Sequence, residues 1–119
     1  MLDWNQVDTV MFDMDGTLLD LHFDNYFWET LVPTTYGKRI GMDAEQAWAH
    51  LSEQYRAMHG TLDWYCIDFW SEKLSLDIQR MKEETRDRIA LRANVKPLLD
   101  RLQQHDKNVM LVTNAHPGS

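Results

Sequence analysis

The strongest constraint on this chain is an apolar run that ends abruptly in an acidic, glycine-containing loop. Val7-Asp-Thr-Val-Met-Phe12 has the β-branched and apolar content of a buried strand, and Asp13-Met-Asp-Gly-Thr17 follows at once. Near the other end, Asn108-Val-Met-Leu-Val-Thr113 has the same character. Nearly continuous apolar strands suit a parallel sheet covered on both faces. Just before the second run, Val95, Leu98, Leu99 and Leu102 recur at helical spacing. Asn94 is expected to cap that helix, with Pro97 tolerated in its first turn. The chain is therefore α/β.

About ninety residues separate the two runs, where a parallel crossover needs only about a dozen. An insertion must lie between them. Asp43-Ala-Glu-Gln46 has the form of a capping box. Ala47, Trp48, Leu51, Tyr55 and Met58 continue from it at helical spacing. Further helices are expected over Phe23–Thr30, ended by Pro33, over Tyr65–Leu74, and after a capping Asp77. The expected organisation is a partial Rossmann-like core, residues 1–21 and 93–119, interrupted by a helical bundle over residues 22–92.

Composition removes several function classes. With 119 residues, one compact domain or part of one is expected. Thirteen aromatics, five of them Trp, argue against a solvated coil. A net charge of −7 disfavours a phosphate-backbone binder, which needs a basic stripe. No apolar run reaches the length of a membrane span, and a single Cys66 permits no internal disulfide. A cytoplasmic location is expected. Cys66, among Tyr65, Ile67 and Phe69, is expected to be a buried inert thiol.

The chemistry concentrates in the loop after the first strand. Residues 1–24 contain six Asp and no Lys or Arg. Asp13 and Asp15 leave the carboxyl end of a strand, where open α/β sheets bind their ligands. One carboxylate can attack phosphorus while a second handles protons. Gly16 permits a tight turn that would aim amides at an anion. Two acids facing a phosphate call for Mg²⁺. Asp-x-Asp-Gly-Thr arises by chance roughly once in a thousand chains of this size. A calcium loop fits less well, since it wants glycine at position six, whereas Gly16 is fourth from Asp13. An ordinary solvated Asp-Gly turn is the plain alternative.

Asp13-Met-Asp-Gly-Thr17 after a hydrophobic strand resembles the first motif of the haloacid dehalogenase superfamily, and Thr113-Asn114 resembles its second. The resemblance implies an aspartyl-phosphate on Asp13 and general acid–base work by Asp15. It implies Mg²⁺ held by the Asp13 carboxylate and the Asp15 main-chain carbonyl. Phosphate contacts would come from Met14, Gly16, Thr113 and Asn114. An Asp at position 15 favours phosphate chemistry over dehalogenation, and the helical insertion resembles the family's cap. Phe23-Asp-Asn-Tyr-Phe-Trp28, Trp64-Tyr-Cys66 and Thr113-Asn-Ala-His-Pro117 resemble the amino-terminal half of bacterial GMP/IMP-type 5′-nucleotidases of that superfamily. This implies a small phosphorylated substrate, a purine mononucleotide, with neither polymer nor membrane as partner. A sugar-phosphate phosphatase or phosphomutase, or a non-catalytic binding module on the same fold, are the alternatives.

The family's third motif, a Lys, and its fourth, an acidic pair, have no match in this chain. Lys38, Lys73, Lys82, Lys96 and Lys107 lie in or before the wrong elements. The chain is accordingly expected to be truncated after the second core strand, weakly active alone and prone to self-association.

Aromatics in the insertion could stack a base, and Tyr26, Phe27 and Trp64 are the candidates, though most such residues form core. His116 is expected where a following helix begins, near anion-binding amides. His22 is more simply a solvated residue, and the five His show no paired zinc spacing. Charges from Arg80 to Arg101 suggest an exposed helix face with pairs such as Glu84–Arg88.

Overall fold

A computed structural model describes residues 2–118. The chain divides into two compact units, Met1–Leu21 with Ile89–Thr113, and His22–Arg88 with Asn114–Ser119.

The first unit contains the sheet. Strands β1 (Thr9–Phe12) and β2 (Asn108–Leu111) pair in parallel, with Thr9 opposite Asn108 and Phe12 opposite Leu111. Both are shorter than their apolar runs. Asn108 N–H donates to the Asp8 carbonyl at 2.9 Å and Val112 N–H to the Phe12 carbonyl at 2.8 Å, so the pairing is bracketed at both ends. Val7 lies outside the ladder because its carbonyl, like that of Trp4, accepts from Lys107 Nζ.

Helix α6 (Val95–Gln104) precedes β2, as its stripe requires. Val95 and Leu102 are buried, Leu99 is partly so, and Leu98 is exposed. Asn94 does not cap it. Asn94 adopts a left-handed conformation, φ 68°, and its side chain makes no capping bond. Asn tolerates that region better than most residues, and here it serves the turn instead.

The second unit is helical. Helix α1 (Leu21–Tyr26) runs into a π-helical segment (Phe27–Leu31) and then α2 (Val32–Ile40). Pro33 therefore does not end the first helix; it sits in the first turn of α2. The reason is local. Val32 N–H donates five residues back, to Phe27. The next bond in that pattern would join Pro33 to the Trp28 carbonyl, and proline has no N–H to give. The Tyr55 hydroxyl takes that place, donating to the Trp28 carbonyl at 3.0 Å. The chain passes the proline by widening for one turn and stops only at Gly41, which is left-handed at φ 80°.

Helix α3 (Ala44–Met58) starts with both halves of the Asp43–Gln46 capping box and buries Ala47, Leu51 and Tyr55; Trp48 is exposed. A 3-10 turn (Leu62–Tyr65) leads to α4 (Ile67–Leu74), which begins two residues later than its pattern suggests. Cys66 is its N-cap, with Sγ accepting from Phe69 N–H at 3.4 Å. The thiol is partly exposed, not buried. Asp77 caps α5 (Ile78–Glu84) through Arg80 N–H. The ion pair on α5 is Arg80–Glu84 at 3.0 Å rather than Glu84–Arg88, because the helix ends at Glu84 and Arg88 lies in a separate 3-10 turn.

Phe23, Phe27, Val32, Leu51, Tyr55, Ile67, Trp70, Leu74 and Ile78 form one core. Its rings meet mostly edge to face, including Tyr55–Trp70 at 5.1 Å and Trp28–Tyr55 at 6.0 Å. Lys82 lies with its ammonium 4.6 Å from the Phe27 ring centroid and 3.5 Å from Asp24. No helix among the described residues is long and apolar enough to cross a membrane.

Two outcomes follow from Tyr55. Tyr55→Phe leaves the Trp28 carbonyl without its partner and should cost about 1–3 kcal/mol in urea melts. In a Pro33→Ala background that cost should shrink, since residue 33 regains an N–H; an equal cost in both backgrounds would refute the coupling. Burial also raises the Tyr55 hydroxyl above its ordinary value of 10.0. The unfolded chain then loses this proton before the folded one, so the contribution is complete below about pH 10 and falls as pH rises further. Tyr55→Phe should flatten that alkaline limb of a pH–stability curve.

Candidate active site

The parallel register determines which residues meet. Phe12 pairs with Leu111, so Asp13 and Thr113 emerge from neighbouring carboxyl ends of β1 and β2. Both are exposed.

The loop after β1 is closed by its own backbone. The Met14 carbonyl accepts from the N–H groups of Thr17, Leu18 and Leu19 at 3.3, 3.0 and 3.0 Å. Gly16 N–H donates to the Leu19 carbonyl at 3.0 Å. That bond needs the left-handed turn at Gly16, φ 76°, where an added Cβ would meet Leu21 at 3.1 Å. The glycine is thus required for closing the loop. Its own amide is engaged by the Leu19 carbonyl. Met14 N–H donates to Asp13 Oδ1 at 2.8 Å, holding that carboxylate against the loop.

A second segment supports the loop from residues far along the chain. Arg92 Nη1 donates to the Gly16 carbonyl at 2.6 Å, Arg92 N–H to the Leu18 carbonyl at 2.9 Å, and Asp20 N–H to the Ala90 carbonyl at 2.8 Å. Leu19 and Leu91 form an antiparallel bridge. An open cavity of about 610 Å³ is lined by Gly16, Asp20, Leu21, Arg92, Ala93 and Asn94. Sequence reasoning missed Arg92. Its partner is a main-chain carbonyl 76 residues away, for which adjacent residues carry no signal. The donors of Asp13 and Asp15 are all oxygen, which suits a hard cation such as Mg²⁺ and not a thiophilic metal.

The remaining expected site residues belong to the second unit. Phe27 is wholly buried in its core and cannot stack a base. Tyr26 carries the Arg88 guanidinium 5.1 Å from its ring centroid. Trp64 packs edge-on to Tyr55 and Trp70, and its carbonyl accepts from the Trp70 indole at 3.1 Å. Asn114 is exposed. After His116 the described residues form a turn, with Gly118 N–H donating to Nδ1 at 2.9 Å, and Nε2 lies 3.1 Å from Asp68 Oδ2. His22 is an exposed residue of α1.

Comparison with known proteins bears on the family and the fold. The chain is 50% identical over 114 residues to GMP/IMP nucleotidase YrfG of Escherichia coli (strain K12), and equally to YrfG of Shigella flexneri. Each match covers 96% of this chain and 51% of the relative, so the chain spans about half the length of these curated relatives. The fold is shared with a HAD phosphatase from Thermococcus onnurineus, with a TM-score of 0.79 at 18% identity, over 93% of this chain and 53% of that one. The model of the haloacid dehalogenase-like hydrolases matches residues 7–119, and the chain belongs to that family.

Proposed function

We propose that this chain supplies the nucleophile and phosphate-binding half of a Mg²⁺-dependent phosphomonoesterase acting on purine 5′-mononucleotides. The observation that carries the reading is the emergence of Asp13 and Thr113 from adjacent parallel strand ends, set by the Phe12–Leu111 pairing. The 50% identity to a GMP/IMP nucleotidase supports the substrate class. The Asp13 carboxylate attacks phosphorus and forms the aspartyl-phosphate; Asp15 protonates the leaving oxygen and then activates water. The Thr113 hydroxyl, the Asn114 side chain and the Met14 amide hold the phosphate, the amide exchanging its bond to Asp13 for one to the ligand. Gly16 shapes the loop without touching substrate. The Asp13 carboxylate and the Asp15 main-chain carbonyl would hold Mg²⁺, which would supply charge neutralisation between acids and phosphate. The helical unit acts as the cap, with Trp64 and Tyr26 as its remaining base-contact candidates. The enzyme works in the cytoplasm.

In the complete enzyme that carries this chain, Asp13→Asn should abolish release of phosphate from GMP and IMP. Asp15→Asn should lose on the order of a hundred- to ten-thousand-fold, the usual worth of general acid–base help. Aryl phosphates, whose leaving groups need little protonation, should restore the first step for Asp15→Asn and not for Asp13→Asn. A phosphoryl group trapped on Asp13 in the Asp15→Asn protein is expected. Equal losses on every ester with no adduct would overturn the assignment, and activity on sugar phosphates alone would move the substrate class.

The 119 residues offer no match to the family's Lys or its acidic pair, so the chain alone is expected to turn over little. Its first unit also leaves much apolar surface open: Met11 is 67% exposed, Leu111 54% and Val112 53%. Exposed apolar residues on a two-stranded sheet with open edges favour association. Light scattering should therefore detect concentration-dependent self-association of the chain; a monodisperse, high-melting monomer would contradict it.

A further inference from the structure

The second unit brings together three metal-binding side chains that the proposed phosphatase chemistry does not use. We infer that Cys66, Asp68 and His116 form a binding site for a thiophilic divalent cation of the Zn²⁺ class, separate from the oxygen-only site at Asp13 and Asp15. One ligand atom from each lies within 4.8 Å of the others. Donors around tetrahedral zinc stand roughly 3.5 Å apart, given bonds of about 2.0–2.3 Å. The shortfall is about an ångström, within reach of small side-chain rotations. Asp68 is the residue free to make them, since its side chain is 78% exposed.

The local fold orients the donors. Cys66 is the N-cap of α4 and Asp68 stands in its first turn, so one helix end presents both sulfur and carboxylate. Its thiol already faces polar company, accepting from Phe69 N–H. His116 arrives from 48 residues away and already touches the carboxylate, Nε2 to Oδ2 at 3.1 Å. A cation bound at Nε2 replaces the proton shared between ring and carboxylate and displaces the thiol proton. The thiol proton leaves to solvent, the ring's single proton passes from Nε2 to Nδ1, and no oxidant or reductant is needed. The ring then carries its proton at Nδ1, and the Gly118 N–H must release that atom. A set of one sulfur, one nitrogen and one oxygen leaves a fourth position for water, the form of an open zinc site. Hard Mg²⁺ is poorly suited to a thiolate and an imidazole. The site is invisible to sequence spacing because its histidine is remote and unpaired. Bound metal would tie the segment after Thr113 to α4.

The test is titration of the reduced, metal-free 119-residue chain with Zn²⁺, and with Co²⁺ as a spectroscopic probe. One equivalent should bind, and Co²⁺ should show a thiolate charge-transfer band with tetrahedral ligand-field absorption. Cys66→Ser, which keeps a helix-capping hydroxyl, should abolish the charge-transfer band. His116→Gln and Asp68→Asn should each weaken Zn²⁺ binding at least about tenfold. Excess Mg²⁺ should not displace the probe, and Asp13→Asn should leave the band intact, separating this site from the phosphatase site. Absence of the band in the unaltered chain overturns the inference whether or not any variant folds. So does stoichiometric Zn²⁺ binding that survives all three replacements, or a band lost in Asp13→Asn.

Discussion

The pairing of β1 with β2 is the constraint on which the candidate site depends. Each strand has four residues, and the two lie almost a whole chain apart in sequence. Their register brings Asp13 beside the chain that leads to Thr113. A slip of one residue would turn every side chain to the opposite face and separate the acid from the hydroxyl. The bonds from Asn108 to Asp8 and from Val112 to Phe12, with Lys107 Nζ on the carbonyls of Trp4 and Val7, extend the grip beyond the ladder. The acidic loop is then held from outside by Arg92 and closed from inside by the Met14 and Gly16 backbone. Its shape is largely a property of main-chain bonds.

The helical unit rests on a different solution. Its core is aromatic, and Tyr55 stands in the middle of it, touching Trp28, Trp48, Trp64 and Trp70 with its ring while its hydroxyl serves the helix at Trp28. One residue thus meets an apolar and a polar demand. A phenylalanine there would pack equally well and leave the carbonyl unanswered. The same economy holds at Lys82, whose stem and ammonium cover the Phe27 and Trp28 rings while the charge reaches Asp24.

Local signals carried much of this into the sequence. The Asp43 capping box, the Asp77 cap, the α6 stripe and both strands are written in adjacent residues, and the family motifs made the fold legible. What was not legible depends on partners far away. Pro33 ordinarily ends a helix, and only Tyr55, 22 residues on, explains why the chain continues. Phe27 looked like a ring for a ligand until the core closed over it. Asn94 suggests a cap by identity, yet its left-handed backbone removes it from that role. Arg92 is one of several basic residues in a charge-mixed stretch until the Gly16 carbonyl selects it. Cys66 and His116 carry no mutual spacing signal; only the folded unit makes them neighbours.

The bridge between Leu19 and Leu91, with Asp20 N–H on the Ala90 carbonyl, has a consequence for the order of assembly. Joining β1 to β2 in an unfolded chain closes a loop of about ninety residues, a search whose entropy grows with the logarithm of loop length. The intervening segment has a core of its own and largely local contacts, the kind that form quickly. If it folds first, its ordered span no longer counts as free chain. Shortening the free loop several-fold recovers roughly 1 kcal/mol of closure entropy. The insertion would then act as an internal scaffold that converts a long-range encounter between two short strands into a nearly local one. The antiparallel contact at residues 19–20 and 90–91 would then be the first pairing of the core to close.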